Sequence, residues 1–418
     1  MNIKKKDTSK SIAVVVGLGR SGIAAAKLLN LEGFKVIVIE KAKGEKYEQI
    51  SRNLEMVVIH VELGKPLKVS SFQPWLKDIS CVVISPSIPW DHETLDSLRA
   101  LGIRVKGEIS LAWEKLKNIP SIGITGTNGK TTVTEMLGHI FHKNKITASI
   151  GGNIGIPASE LALKILTGKT QLPKWLVIEL SSYQIESAPE ISPSIGIWTT
   201  FTPDHLERHK TLQKYFKIKK MLLENSFTRI YNSDDKYLNN NRKELGEGIW
   251  ISAQEEESSR ENQYWINRKG IVFEGKNKLF NSSILKIPGK HNLQNLLMVI
   301  AAARKVGLSI EEIKVGVNDF KGVSHRIEFI GKVKSLNFYN DSKATNYDSS
   351  NVALKAINAP LILIAGGIAK EGDPSNWITQ IKTSCHGVIL FGASAKLLEL
   401  KISSAGFKKK LNIVRDLD

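Results

Sequence analysis

Residues 122–132 read Ile-Gly-Ile-Thr-Gly-Thr-Asn-Gly-Lys-Thr-Thr, so an apolar run leads into a glycine-rich loop that ends with a lysine and two threonines. In such a loop the backbone N–H groups converge on phosphate oxygens, the lysine adds charge near the β and γ phosphates, and a threonine hydroxyl can bind Mg²⁺. Ile124 stands where the usual spacing has a glycine, so we interpret the loop as a variant whose turns are made by Gly126 and Gly129. A chance glycine turn is the alternative. The flanking strand and helix patterns favour a nucleoside triphosphate site.

Two polar residues downstream of this loop follow apolar runs. Glu179 ends the run that starts at Trp175, where open α/β sheets deliver functional groups, and a carboxylate there would suit Mg²⁺. A carboxylate that caps a helix is the alternative. His205, in the segment Thr202-Pro-Asp-His-Leu-Glu207, could bind a metal ion or orient a substrate, although a lone histidine is more often structural.

Lys219 interrupts an apolar stripe. On a helical wheel of about 100° per residue it falls near the centre of the arc made by Leu212, Tyr215, Phe216, Leu222 and Leu223. An amine in that position either extends to water or has a lowered pKa, and a neutral amine is reactive. Extension to water is the common outcome. For Lys219 we expect the lowered pKa, because the candidate metal-binding residues Glu179 and His205 precede it in the same α/β unit.

The elements that position these residues begin with an alternation of β-rich and helical segments. Strands are predicted at 12–16, 35–39, 56–59 and 81–84, with helices at 22–31 and 94–101, which indicates a parallel α/β sheet. Gly17, Gly19 and Gly22 follow the first strand in G-x-G-x-x-G order, and Glu40 ends the second. This pattern is typical of a dinucleotide site with the acid on a ribose hydroxyl. Because the same geometry can hold any diphosphate, NAD and a UDP-type ligand both stay open.

Two further α/β units follow. The unit that starts near Ile119 contains the phosphate loop and strands predicted at 175–180 and 195–200, and its polar stretch 246–281 predicts a peripheral antiparallel excursion. Asn292 and Asn295 precede an apolar helix predicted at 296–306 and share a face, so their amides could bind an adenine edge. A third unit begins near Val323, with strands predicted at 336–339, 361–365 and 387–391.

Composition excludes several classes of protein. The 418 residues, 42% hydrophobic and 24% charged, suggest a soluble globular chain of two or three domains. No apolar run reaches the roughly 18–20 residues of a membrane span, and the two distant cysteines, Cys81 and Cys385, fit a reducing cytoplasm. The net charge of +18 comes mostly from dispersed lysines without a basic, aromatic-interleaved stripe, so we expect no nucleic-acid partner. Anionic small substrates would explain part of the excess.

Together these motifs resemble those of the Mur ligases, the ATP-dependent amino-acid ligases that build the peptidoglycan stem peptide. The shared segments are 125–132, 179–182, 291–292 and 325–326. Within the family, residues 151–155 and 340–346 resemble the branch that adds D-glutamate, and the latter segment argues against a folylpolyglutamate synthase. The resemblance extends from Gly17 to at least Gly372.

The resemblance implies a three-domain α/β fold in a bacterial, cytoplasmic monomer. A Rossmann-like domain at residues 1–108 would bind UDP, a P-loop ATPase-like α/β domain at 109–322 would bind ATP and Mg²⁺, and an incomplete Rossmann-like domain at 323–418 would bind the amino acid. In the implied reaction, the carboxylate of UDP-N-acetylmuramoyl-L-alanine attacks the γ-phosphate of ATP to form an acyl phosphate. The amine of D-glutamate then displaces phosphate.

The resemblance also assigns residues position by position. It implies ATP binding by Gly126, Thr127, Asn128, Gly129, Lys130, Thr131, Thr132, Asn292, Asn295, Arg326 and Asp341. It implies binding of the UDP-sugar substrate by Gly17, Arg20, Ser21, Glu40, Asn153, Gly155, Ser181 and Gln184, and of D-glutamate by His205, Lys343, Thr345 and Lys370. Lys130, Glu179, His205 and Lys219 would be catalytic. Thr131 and Glu179 would hold one Mg²⁺, and His205 and Lys219 the second, with Lys219 converted by CO₂ into a carbamate.

Two departures from the family pattern affect these expectations. Ser87 stands where the family usually has glycine, so the backbone approach to the uridine is expected to differ. The chain ends at Asp418, where family members continue with a helix, a strand with a Ser-Pro-Ala-Cys-Ala-Ser-like segment and a final helix. We therefore expect an incomplete third sheet and a weakened amino-acid site. A truncated nucleotide-binding protein with weak or no ligase activity is the alternative function.

Overall fold

The computed structural model describes residues 11–254, 262–368 and 373–416. The chain forms three α/β units in sequence order, as predicted. The first unit is a five-stranded parallel sheet in the order β3-β2-β1-β4-β5. Its strands are β1 Ile12–Val16, β2 Lys35–Glu40, β3 His60–Leu63, β4 Ile79–Ile84 and β5 Arg104–Gly107. Its helices are α1 Arg20–Leu31, α2 Glu45–Glu55, α3 Glu93–Ala100 and α4 Glu108–Leu116.

The strand predicted at 56–59 is wrong. Helix α2 ends at Glu55, the chain turns, and β3 begins only at His60. In the apolar run that suggested a strand, Met56 and Val58 are 83% and 84% exposed, and Ile59 at its end is buried. Val58 has φ +62, a left-handed conformation that a strand does not contain.

The central unit is a nine-stranded sheet in the order β14-β13-β12-β11-β10-β9-β6-β8-β7. Its strands are β6 Ser121–Thr125, β7 Ala148–Gly152, β8 Trp175–Glu179, β9 Ile195–Trp198, β10 Thr228–Asn232, β11 Ile249–Ser252, β12 Tyr264–Ile266, β13 Ile271–Glu274 and β14 Asn277–Asn281. Among the strands of this sheet that the structure describes, β12–β13 and β13–β14 pair antiparallel, and the other pairs are parallel. The predicted antiparallel excursion is therefore confirmed for β12, β13 and β14, and it is wrong for β11, which pairs parallel with β10 and with β12.

Nine helices accompany the central sheet in the described residues, and several of them border the phosphate loop. They are α5 Lys130–Lys143, α6 Ala158–Leu166, α7 Ser182–Glu186, α8 Leu206–His209, α9 Leu212–Glu224, α10 Lys236–Asn240, α11 Arg242–Leu245, α12 Lys290–Val306 and α13 Ile310–Asp319. Short 3-10 helices lie at Val69–Ser71, Gln73–Trp75 and Ser282–Ile284. The predicted helix at 296–306 is confirmed and starts earlier, at Lys290. Its residues 296–303 are buried on all sides, so it forms part of the core.

The third unit has a hairpin and a small parallel sheet. The hairpin strands are β15 Glu328–Val333 and β16 Leu336–Asn340, and the sheet, in sequence order, consists of β17 Leu361–Gly366, β18 Cys385–Phe391 and β19 Lys410–Ile413. Its helices are α14 Tyr347–Ala356, α15 Ser375–Ser384 and α16 Ala395–Ser404. Ile362 and Ile364 of β17 are 61% and 54% exposed, so one face of this three-stranded sheet is apolar and open.

The topology brings the site residues together. The carboxyl ends of β6, β8 and β9, which are neighbours in the central sheet, meet at one edge. The phosphate loop follows β6, Glu179 ends β8, and the segment with His205 follows β9. None of the helices in the described ranges is long and apolar enough to cross a membrane. Cys81 and Cys385 are buried and unpaired.

Candidate active site

The phosphate loop joins β6 to the start of α5. Gly126 has φ +145, and a Cβ there would lie 2.0 Å from Thr199 Oγ1, so only glycine fits. Gly129 has φ +87 and precedes α5 without a side-chain cap on the first N–H groups of the helix. Uncapped N–H groups at a helix N-terminus attract phosphate oxygens. The loop therefore has the backbone geometry of a phosphate site, with turns at the two glycines that the sequence indicated.

Lys130 lies over the loop. Its Nζ donates hydrogen bonds to Gly126 O and Thr127 O, both at 2.9 Å. Burial lowers the pKa of this amine, and the charge of Arg326 lowers it further, whereas Glu179 opposes both effects. The amine is held where it can meet the phosphates, because the carbonyls that accept from it belong to the phosphate loop itself.

Glu179 lies at the centre of the polar contacts. Its side chain is 1% exposed, Thr131 Oγ1 donates to its Oε2 at 2.9 Å, and Asn153 Nδ2 donates to its Oε1 at 2.9 Å. Arg326 Nη2 donates to Thr131 Oγ1 at 3.3 Å, and the buried Arg326 Nε has no hydrogen-bond partner among the described residues. A hydroxyl and a carboxylate are hard oxygen donors, so Thr131 and Glu179 fit a Mg²⁺ ion.

A second metal position is less complete. The described residues contain no group of three or more His, Cys, Asp and Glu side chains that could hold a metal ion. His205 has φ +56, its Nδ1 is hydrogen-bonded to Tyr183 Oη at 3.0 Å, and its Nε2 lies 3.5 Å from Asp204 Oδ2. The charge of Asp204 raises the pKa of both Lys130 and Lys219, so the segment with His205 lies close enough to act on both amines.

Lys219 is buried in α9, as the helical wheel predicted. Its side chain is 1% exposed, and its Nζ donates to Gly126 O at 2.9 Å and to Thr125 Oγ1 at 3.3 Å. The amine lies 4.8 Å from the centre of the Tyr215 ring. Burial, together with the charge of Lys130, holds the pKa of Lys219 well below its usual range. This environment favours a neutral, nucleophilic amine.

The candidate ATP residues outside the first turn of α5 surround the loop. Asn295 Nδ2 donates to Asn292 Oδ1 at 3.0 Å, and a Cβ on Gly129 would lie 2.7 Å from Asn295 Oδ1. Asn292 Nδ2 donates to Pro288 O at 2.6 Å. The two asparagines therefore form a linked pair that packs against the phosphate loop.

Other predicted ATP contacts also have partners inside the protein. Thr127 Oγ1 donates to Thr202 O at 3.1 Å, and Thr132 is buried in the first turn of α5. Asp341 Oδ1 accepts from the backbone N–H of Ile327 at 3.0 Å, and burial raises the pKa of Asp341. Thr127 and Asp341 thus stabilise the segments that carry the site.

Among the described residues, two side chains of the third unit form hydrogen bonds with the phosphate loop or the first turn of α5. One is Arg326, described above. The other is Ser349, whose Oγ donates to Asn128 Oδ1 at 2.8 Å. Ser349 was not predicted from the sequence. It lies in the first turn of α14, where its backbone N–H donates to Asn346 Oδ1 at 2.7 Å. Tyr183, the partner of His205, was also missed and carries no local signal beyond its place in the segment after Glu179.

The predicted D-glutamate residues are only partly brought together. Lys343 is exposed, its backbone N–H donates to His325 O at 3.1 Å, and its charge lowers the pKa of Glu135 on α5 against the larger effect of burial. Thr345 is exposed beside it. Lys370 lies outside the described residues.

The predicted nucleotide-sugar residues lie along the junction of the first two units. A Cβ on Gly17 would lie 2.8 Å from Ser85 Oγ, so this turn needs glycine. Glu40 accepts from Leu18 N at 2.7 Å and from Ala42 N at 2.9 Å, so both of its oxygens already bind backbone. The guanidinium of Arg20 donates to Gly155 O.

The remaining predicted nucleotide-sugar residues have local roles in the fold. Ser181 and Gln184 form a reciprocal cap at the start of α7. Ser21 is partly buried in the first turn of α1, and Ser87 is exposed in the turn after β4. Asn153 was predicted to bind the nucleotide sugar. In the structure its side-chain amide donates a hydrogen bond to the Glu179 carboxylate.

The fold and site define a three-part α/β protein with a phosphate loop at the carboxyl edge of its central sheet. Comparison with known families agrees: residues 11–107 match the "Mur ligase MurD-like, N-terminal domain" and residues 124–303 match the "Mur ligase middle domain". The chain belongs to the Mur ligase family.

Relatives and solved structures are consistent with this membership. A UDP-N-acetylmuramoylalanine--D-glutamate ligase of Prochlorococcus marinus is 52% identical over 417 residues, which cover 100% of this chain and 89% of the relative. The enzyme of that name from Synechococcus sp. (strain CC9902) is 47% identical, with coverage of 97% and 88%. The UDP-N-acetylmuramate-alanine ligase of Thermotoga maritima shares the fold with a TM-score of 0.62 at 19% identity, covering 97% of this chain and 90% of that one. These relatives do not support the alternative functions.

Proposed function

We propose that this protein is an ATP-dependent ligase that joins D-glutamate to UDP-N-acetylmuramoyl-L-alanine. The single observation that carries the proposal is the convergence of Lys130, Thr131, Glu179 and Arg326 on one phosphate loop, in a chain 52% identical to a ligase of that name. In the first step a carboxylate oxygen of the substrate bonds to the γ-phosphorus of ATP, and ADP leaves. In the second, the amine of D-glutamate bonds to the acyl carbon, phosphate leaves, and the amine loses a proton.

The chain's own groups position and neutralise charge in this reaction. The N–H groups of the loop and the start of α5 would bind the phosphate oxygens, and Lys130 would turn from the loop carbonyls to the β and γ phosphates. Arg326, whose Nε lacks a partner in the described structure, would meet the transferred phosphoryl group. Catalysis of phosphoryl transfer depends mainly on such positioning and charge stabilisation.

Thr131 and Glu179 would hold one Mg²⁺, which when bound neutralises phosphate charge. We propose further that the Lys219 amine bonds to the carbon of CO₂ and loses a proton, which gives an anionic carbamate. Its burial and lowered pKa support this step, because the neutral amine is the nucleophile. With His205, the carbamate would provide oxygen and nitrogen donors for a second ion.

The finer assignments are part of the same proposal. His205, Lys343, Thr345 and Lys370 would contact D-glutamate. We propose domains at 1–108, 109–322 and 323–418, and a monomer in the bacterial cytoplasm, on the basis of the nucleotide substrates and the family.

ADP formation tests the proposal. We expect it to require ATP, UDP-N-acetylmuramoyl-L-alanine and D-glutamate together, and we expect L-glutamate not to replace D-glutamate. Lys130→Met should lower kcat by about a hundredfold or more, the effect of removing one group that stabilises developing charge. Lys143→Met is the matched control, because Lys143 lies at the other end of α5 and pairs with Asp319. Substrate-independent ADP formation, or equal loss in both variants, would refute the proposal.

A further inference from the structure

A buried carboxylate outside the active site joins the first and central units. Glu108 is the first residue of α4, directly after β5, and is 1% exposed. Its Oε1 accepts from the backbone N–H of Ser159 at 2.6 Å, and Ser159 Oγ donates to Glu108 O at 3.2 Å. Ser159 lies in the first turn of α6, whose N-cap residue Pro157 makes no side-chain cap. Glu108 thus caps a helix that lies 51 residues further along the chain.

The loop at residues 153–157, which leads into α6, connects two candidate sites. At its start, Asn153 donates to the Glu179 carboxylate, which is the proposed Mg²⁺ ligand. In its middle, Gly155 O accepts from Arg20, at the predicted nucleotide-sugar site on α1. At its end, Glu108 holds the first turn of α6. A shift of this turn would therefore move both the Gly155 carbonyl and the amide that positions Glu179.

The environment of Glu108 is unfavourable for its charge. Burial raises the pKa of this carboxyl to about 7, and the hydrogen bonds from Ser159 oppose the rise. Oε2 is buried and has no hydrogen-bond partner among the described residues. A buried carboxylate with one unpartnered oxygen lowers the stability of the fold when it is ionised. A contribution to packing therefore does not explain why a glutamate occupies position 108.

Burial and the hydrogen bonds from Ser159 account for the pKa of Glu108, and several charged groups on the surrounding elements have other partners. The pairs are Lys106 with Glu114, Lys115 with Glu32, Glu160 with Lys164, Glu186 with Arg208 and Lys214, and Glu190 with Ser110. When the Glu108 carboxyl gains or loses its charge near neutral pH, the change therefore acts mainly on the hydrogen bond that caps α6.

We propose that Glu108 is a positioning residue for the nucleotide-sugar substrate: by capping α6 it holds residues 153–157 where Gly155 and Asn153 can serve both sites together. The inference rests on the proposed function, because it takes UDP-N-acetylmuramoyl-L-alanine as the ligand. The ionised carboxylate is the stronger acceptor and is favoured at a helix N-terminus. Protonation weakens this cap, so substrate affinity falls as the pH drops from 8 to 6.

The test is Glu108→Gln in the full chain, with Glu114→Gln as the control because Glu114 is a surface residue of the same helix. KM for UDP-N-acetylmuramoyl-L-alanine and kcat are measured from pH 6 to 8, and calorimetry measures binding of this substrate without ATP. For the wild type and the control we expect KM and Kd to rise about threefold to tenfold between pH 8 and 6, the range of a charge at a helix N-terminus. For Glu108→Gln both constants should stay at the acid value at every pH, with kcat changed less than twofold.

Two results would overturn the inference. One is a Glu108→Gln variant with the pH profile of the wild type. The other is a variant with a lower Tm and lower kcat but unchanged KM and Kd, which would show a merely structural role. A wild-type protein that forms no ADP with these substrates would instead refute the proposed function, so the two failures are distinguishable.

Discussion

The buried imidazole of His209 should make the protein less stable in mild acid. His209 is fully buried, its Nε2 is hydrogen-bonded to Ser182 Oγ at 2.8 Å, and its Nδ1 has no hydrogen-bond partner among the described residues. The Tyr215 ring stacks on it at 5.3 Å. Burial lowers the pKa of His209 to about 4, and positive neighbours led by Arg208 add to the effect.

The sign and size follow from proton linkage. In the unfolded chain a histidine has a pKa of about 6.5. Because the folded pKa is lower, the unfolded state binds more protons in this window, and the stability present above pH 6.5 is lost as the pH falls toward 4. For these two pKa values, linkage gives a loss of about 2 kcal/mol at pH 5 and almost none at pH 7.5.

The comparison of wild type with His209→Gln isolates this group. Glutamine can still form a hydrogen bond with Ser182 but does not titrate. Urea unfolding at pH 7.5 and pH 5 should show that the variant loses about 2 kcal/mol less than the wild type between the two conditions. Burial also lowers the pKa of His291 to about 4, but His291 is present in both proteins and its contribution cancels. His142→Gln, at an exposed position of α5, should behave like the wild type. Equal losses by the wild type and His209→Gln would refute the reasoning.

Two further substitutions test the site and the junction. Lys219→Ala should be inactive, and formate or acetate in solution should partly restore its activity. The control Lys220→Ala removes a partner of Glu224 and Glu244 and should keep its activity. A fully active Lys219→Ala variant would exclude the carbamate. Gly107→Ala should lower the unfolding free energy by about 1–3 kcal/mol, since its Cβ would lie 2.2 Å from Ser187 Oγ. Gly331→Ala, whose Cβ meets nothing within 4 Å, is the control. Equal thermal unfolding of the two glycine variants would contradict the close packing at the junction.

Local signals made the central elements predictable. Strand β1 has the predicted bounds, and β8 and β9 end within two residues of theirs, because strands buried on both faces read as continuous apolar runs. The helical wheel predicted that Lys219 is buried, because the pattern of one charged residue within an apolar arc depends only on the sequence of a single helix. The same local reasoning gave the wrong strand at 56–59, since an apolar run whose side chains are mostly exposed has the same sequence pattern as a buried one.

Contacts between units were not predictable in this way. Arg326 meets Thr131 across 195 residues, and Ser349 meets Asn128 across 221. These pairs depend on how the third unit packs on the central sheet, and no periodicity in the sequence reports that packing. Motif resemblance placed Arg326 at the site, but its hydroxyl partner and its unpartnered Nε appear only in the structure.

The position of Lys219 beside Lys130 gives a physical reason for the proposed carbamate. Both amines donate to Gly126 O at 2.9 Å, so the two nitrogens cannot be further apart than twice that distance. Two ammonium groups at this separation in a buried site would repel each other. Burial lowers the pKa of both amines, and the charge of Lys130 lowers the pKa of Lys219 further. Conversion of Lys219 to a carbamate would replace this repulsion by an attraction to Lys130. We infer that the modification, besides supplying a metal ligand, would raise the pKa of Lys130 and so keep it charged for the phosphates.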